Sequence, residues 1–183
     1  MSGALLVRHC SPTLAGIKTG NMFVCRYDNA GDMRSSVRLW NKTLSGKGLR
    51  VLPLRYRNEK ALIYIYRPRK LKEDLADETA CRLLLERGYR PDNPEGCVAN
   101  LVRRVSDCEE FPHEIGLFLG YPPEDVCGFI ENKACNCKCI GCWKVYGDEQ
   151  AAQRIFEEYK KCTEIYCTEF AKGRSIERLT VAG

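Results

Sequence analysis

Four cysteines stand within eight residues in the segment Cys135-Asn136-Cys137-Lys138-Cys139-Ile140-Gly141-Cys142. A loop this short cannot bury four side chains in one core, so the density points to thiolate chemistry. On an extended stretch Cys135, Cys137 and Cys139 share a face, and Cys139-x-x-Cys142 has the spacing that lets two sulfurs converge on one metal or on each other. Lys138 and Lys144 are expected to favour thiolate over thiol. The spacing matches neither a paired zinc ribbon nor a ferredoxin run, so iron, an iron–sulfur cluster, zinc, a redox pair and plain reduced thiols all stay open. Beside Cys137, Cys139 and Cys142, a fourth ligand is available from Cys135, from a histidine, or from the last helix through Cys162 or Cys167. Only one of the last two can contribute, because positions five apart on a helix point about 140° from each other.

A second stretch is His9-Cys10-Ser11-Pro12-Thr13-Leu14-Ala15-Gly16-Ile17-Lys18-Thr19-Gly20. The apolar residues 5–9 read as a strand, and Ser11-Pro12 as the N-cap and first position of a helix. A strand end feeding a helix start exposes free N–H groups and makes an anion site, with His9, Cys10, Ser11, Thr13, Lys18 and Thr19 as its expected binding residues. Gly16-Ile17-Lys18-Thr19 lacks the glycines of a Walker loop, which excludes a P-loop NTPase. Cys10 beside His9 suggests a thiol enzyme for a small molecule. Neighbours in a strand point to opposite faces, however, so the activating base would have to be the other histidine, His113. A third stretch sets Arg50, Arg55, Arg57, Lys60, Arg67, Arg69, Lys70 and Lys72 against one acid, Glu59, with Tyr56, Tyr64 and Tyr66 among them. Phosphate contacts and base stacking would need both residue types. The tyrosines alternate with isoleucines in a strand that reads as buried, so a charged sheet edge is preferred and nucleic acid is not the expected partner.

Around these stretches the periodicity supplies the elements. Residues 35–44 read as a helix stopped by Gly46 and Gly48, and residues 49–56 and 61–66 as a hairpin whose second strand is covered on both sides. Leu75, Ala76, Ala80, Leu83 and Leu84 lie on one helical stripe ended by Gly88, and Pro94 opens the next helix. Residues 113–119 form a short helix, Pro122-Pro123-Glu124-Asp125 begins another, and residues 143–146 are a short strand. Asp148 caps a long helix with Ile155, Tyr159, Cys162, Tyr166 and Phe170 on its apolar face. The expected fold is α+β: a small mixed or antiparallel sheet containing a hairpin, packed with about six helices in one domain over residues 1–183.

The 183 residues are 44% hydrophobic and 29% charged with a net charge of +5, which excludes a disordered or fibrous chain and argues only weakly for a polyanionic partner. No apolar run is long enough for a membrane span, and residues 1–10 lack the parts of a secretory signal, so a cytoplasmic protein is expected. Its twelve cysteines are then mostly thiols. Cys25, Cys81, Cys97, Cys108 and Cys127 read as small buried hydrophobes.

Three stretches carry a family resemblance: residues 9–23, residues 111–126 (Phe111-Pro112-His113-Glu114-Ile115-Gly116-Leu117-Phe118 and onward), and residues 137–148 (Cys137-Lys138-Cys139-Ile140-Gly141-Cys142-Trp143 and onward). Together they resemble a family from anaerobic Firmicutes catalogued as domain of unknown function 3793. The resemblance implies a redox or iron context and, as partner, a flavodoxin-like or other redox protein. It brings no catalytic residues. The leading expectation is a cytoplasmic accessory protein binding iron, an iron–sulfur cluster or zinc through Cys135, Cys137, Cys139 and Cys142, with the thiol enzyme and the nucleic-acid module as alternatives.

Overall fold

The structure, a computed structural model, describes residues 1–107 and 111–183, so Cys108 and its expected burial lie outside the described residues. Its centre is a three-stranded antiparallel sheet of β1 (Gly20–Arg26), β2 (Arg50–Arg57) and β3 (Lys60–Tyr66) in the order β1-β3-β2. As the alternation predicts, β3 is central and divides two cores. Ile63 and Ile65 pack with Leu6, Cys10, Phe23 and Met33 on one face, while Tyr64 packs with Leu71, Leu84, Leu101 and Phe118 on the other. Asn58 and Glu59, both at positive φ, form the two-residue turn of the hairpin. Pro53 is tolerated because β2 is an edge strand with a bulge beside it.

Helix α1 (Gly3–Leu14) overturns the expected strand at residues 5–9. Its buried residues Leu6, Val7, Cys10 and Leu14 recur at helical spacing, and Ser2 caps it by accepting from the Leu5 N–H. Ser11-Pro12 is therefore the last turn of a helix rather than the start of one. The Ser11 hydroxyl donates to the Val7 carbonyl at 2.5 Å, and burial of the stripe outweighs the roughly 3 kcal/mol that an interior proline costs. Gly16, at φ 81°, turns the chain towards β1, a strand the periodicity did not reveal.

Helix α2 (Ala30–Leu44) covers the α1 face. The opposite face carries α3 (Pro68–Asp74), α4 (Glu78–Glu86), α5 (Pro94–Asp107), α6 (Ile115–Phe118) and α7 (Pro123–Glu131). A small hairpin of β4 (Cys139–Ile140) and β5 (Lys144–Val145) then leads into α8 (Glu149–Ala171), which packs along α1, and a last turn α9 (Ile176–Leu179) closes the α1 side. The architecture is α+β with antiparallel sheets, as expected. Among the described residues, no helix is long and apolar enough to cross a membrane.

Candidate functional site

Where α1, α8 and the β4–β5 hairpin meet, a cleft of about 510 Å³ opens. Phe156, Tyr159, Lys160, Thr163 and Cys167 form one wall, and their spacing places them on a single face of α8. His9 and Pro12 come from α1, Asn21 from β1, Tyr121 from the α6–α7 connection and Cys142 from the turn of the β4–β5 hairpin. Lys18 follows the α1 turn and reaches into the same space. It is 5% exposed, with its ammonium 5.1 Å from the Tyr121 ring centroid and 5.6 Å from that of Tyr159.

Each position has a local cause. Asp125, buried in the first turn of α7, accepts from Trp143 Nε1 at 2.6 Å and from the N–H groups of Tyr146 and Gly147, both at 2.7 Å. That clamp pins the hairpin to α7. Trp143 in turn stacks on Tyr121, with ring centroids 4.9 Å apart, and the Tyr121 hydroxyl donates to the Cys142 carbonyl at 3.2 Å. Gly141 lies so close to the Phe156 ring that no side chain fits there, which seats the hairpin turn on α8. The Thr13 hydroxyl donates to Asn21 Oδ1 at 2.7 Å and so orients a cleft residue from beneath. His9 stacks flat on Phe23 with centroids 5.4 Å apart.

The electrostatics of Lys18 set it apart. Among the described residues no hydrogen bond or ion pair holds its side-chain nitrogen, and Glu164 lines the cleft without reaching it. Burial pulls the amine from its ordinary 10.5 down to about 8, against smaller opposing contributions from Cys142 and Cys10, which corresponds to roughly 3 kcal/mol disfavouring the ammonium. Two ring faces return about 0.5–2 kcal/mol of cation–π attraction, so desolvation wins. Burial raises the Cys142 thiol while Lys18 draws it back. Burial and the charge of Arg8 lower His9, which favours the neutral imidazole.

Of the residues expected to bind an anion, His9 and Lys18 line the cleft; the others do not. Cys10 is fully buried on the core side of α1, and burial lifts its thiol far above the ordinary range, so it is no nucleophile. Ser11 and Thr13 are buried with their hydroxyls spent within the fold, and Thr19 donates to Asp74. Ser11-Pro12 does not start a helix, because the first helix begins at Gly3, so the expected strand-to-helix junction is not at this stretch. His113 packs edge-on against Phe129, facing a second cavity of about 320 Å³ beyond the Tyr121–Trp143 stack.

The cysteine segment does not converge. Among the described residues, no group of three or more His, Cys, Asp or Glu side chains is placed to hold a metal ion. Cys135 lies between positive-φ residues, Lys133 and Ala134 before it and Asn136 after it, Cys139 pairs with Val145 in the hairpin, and Cys142 lines the cleft. The two lysines do not serve the thiols: Lys138 Nζ donates to the Gly147 carbonyl at 2.6 Å and Lys144 Nζ to that of Ala134 at 2.7 Å. Desolvation and then the Glu149 carboxylate raise the Cys139 thiol, the reverse of the expected activation. Cys162 is buried on α8, and Cys167 lines the same cleft as Cys142. Of the scattered cysteines, Cys25 and Cys97 are buried, as expected, and Cys81 and Cys127 are half-buried. In the basic stretch Tyr64 is fully buried with its hydroxyl on the Phe118 carbonyl. Arg67 donates to the carbonyls of Thr13, Leu14 and Val181, which closes the end of α1.

Over residues 6–180 the chain matches the family described as Protein of unknown function (DUF3793). The chain belongs to this family. No curated protein and no solved structure matches it. The DUF3793 match covers every cleft residue, including Tyr159, which its helical spacing placed on the apolar face of α8, and Tyr121, which no sequence pattern marked. One signal stood in the sequence: no Asp or Glu precedes Asp28, so Lys18 has no acidic neighbour along the chain.

Proposed function

We propose that the protein binds a compact anionic small molecule in the cleft between α1, α8 and the β4–β5 hairpin, with Lys18 as the group that receives its negative charge. The observation behind this is the Lys18 side chain, 5% exposed and opening onto the cleft, with no carboxylate on it among the described residues. A buried cation without a counter-ion destabilises the empty protein, and a ligand anion supplies what the fold withholds. Tyr121, Tyr159 and Phe156 offer apolar ring surface to the rest of the ligand, and Asn21 and Thr163 offer hydrogen bonds. Cys142 and Cys167, rather than Cys10, are the thiols that share this space with His9 and Lys18. The iron, iron–sulfur or zinc reading, with its flavodoxin-like partner, rests on the density of cysteines in the sequence and has no converged ligand set behind it.

The test is calorimetry with pyruvate, glyoxylate, acetate and inorganic phosphate on the parent protein and on Lys18→Met. At least one of these anions is expected to bind the parent, and the variant to bind it about 30-fold or more weakly, in line with the loss of a charge-assisted contact in a desolvated site. Equal binding to both proteins, or binding of none of the four to the parent, would contradict the proposal.

A further inference from the structure

The geometry points to Lys18 as a carbonyl-capturing amine that forms a reversible iminium with a small 2-oxo acid. This deepens the cleft assignment above and rests on it. The side chain runs between the ring faces of Tyr121 and Tyr159, at 5.1 and 5.6 Å, which fixes its nitrogen at the cleft instead of letting it swing into water. No carboxylate among the described residues lies within ion-pair distance to lock it as an ammonium. Burial supplies the neutral amine such an attack requires, as in other lysines desolvated in apolar pockets. Lys160 on the adjacent α8 wall is exposed and lines the same cleft, so once Lys18 has drawn the anion in as an ammonium and released its proton, the substrate carboxylate has a second cation to meet while the carbonyl carbon faces Lys18. A 2-oxo acid places those two groups on neighbouring carbons, which suits a cleft with both amines and few other charges.

The step balances within the cleft. The Lys18 lone pair attacks the carbonyl carbon, a C–N bond forms, and the carbonyl π electrons move to oxygen, which takes a proton. The resulting carbinolamine passes the proton on its nitrogen to a base, and its hydroxyl leaves as water after taking a proton back. His9, kept neutral, lines the cleft and can accept the first proton and return the second. The net change is one amine, one carbonyl group and one proton from solvent going to one iminium and one water, with no oxidant or reductant, and hydrolysis reverses it.

The experiment incubates the parent protein with pyruvate or glyoxylate and sodium cyanoborohydride at pH 7.5, and maps the reduced adduct by peptide mass spectrometry. Labelling is expected at Lys18 about tenfold or more faster than at Lys160, the exposed amine of the same cleft, because burial favours the unprotonated Lys18 amine and the two rings hold its nitrogen at the cleft. Lys18→Arg, which keeps the charge but cannot form an iminium, should still bind pyruvate without being trapped. Calorimetric binding of pyruvate to the parent with no Lys18 adduct would overturn the inference and leave the anion site standing. Labelling spread evenly over the lysines, or a thiol adduct at Cys142 in its place, would also overturn it. If pyruvate and glyoxylate neither bind nor trap while acetate or phosphate binds, the iminium fails alone; if no anion binds, both readings fail.

Discussion

The segment at residues 135–142 and the cleft around Lys18 are opposites in how their chemistry is distributed. The first crowds four thiols into eight residues and then disperses them, to a bend, a strand and a cleft edge. The second gathers residues more than 100 positions apart, among them His9, Lys18, Tyr121, Cys142 and Tyr159, into one space. The difference lies in what each region is asked to hold. The hairpin is shaped by its clamp on Asp125 and its seat on Phe156, and those constraints set the thiols' directions without reference to one another. The cleft is shaped by elements that each bury their own apolar face and leave a seam between them, with a lysine in the seam that has no ion-pair partner among the described residues. Density along a chain is therefore a poor guide to convergence in space, and an unpaired buried charge is a better one.

The largest expected effect breaks the hairpin side. Asp125→Ala orphans the Trp143 indole N–H and two backbone N–H groups at once, and should destabilise the protein by about 3–5 kcal/mol in urea unfolding. A loss under about 1 kcal/mol would show that the hairpin is held by something other than this carboxylate.

A smaller effect of opposite sign sharpens the cleft side. Lys18→Met keeps length and ring contacts and removes the desolvated charge, so it should stabilise the fold by about 1–2 kcal/mol at pH 7 while weakening anion binding about 30-fold or more. The pH dependence has a definite sign. Below about pH 8 the amine is protonated in both folded and unfolded states, and the folded state carries the full desolvation penalty. Between about 8 and 10.5 the folded protein has released that proton and the unfolded chain still holds it, so the parent gains stability with rising pH. The advantage of Lys18→Met should therefore shrink from pH 7 to pH 10. Cys10, Cys142, His9, Tyr121, Tyr159, Lys160 and Glu164 surround Lys18 in both proteins and cancel in the difference, apart from their coupling to Lys18 itself. A constant advantage across that range, or a destabilised variant, would mean that the ammonium is well satisfied where it is.

Much of the frame was legible because one residue type alternated with another. Ile63 and Ile65 against Tyr64 and Tyr66 revealed a central strand, and the stripe of Ile155, Tyr159 and Cys162 revealed α8. The first helix was misread because Ser11-Pro12 has the local chemistry of a helix start, and the competing stripe Leu6, Val7, Cys10, Leu14 was the stronger term. That single misreading moved the anion site to the wrong end of the helix and made Cys10 look reactive. The cleft itself was not legible, since its walls are written in five separate elements and its ring faces, Tyr121 and Tyr159, look like ordinary core residues until Lys18 is seen between them.

The central claim is that Lys18 is a desolvated, reachable amine, and competitive trace acetylation of the intact protein from pH 6 to 11, with peptide-level mass spectrometry, measures it without any ligand. The account predicts that Lys18 is labelled in the folded protein and that its reactivity rises with a midpoint near 8, well below its ordinary 10.5. A Lys18 that titrates together with the exposed lysines, or that resists labelling until the protein unfolds, would contradict it.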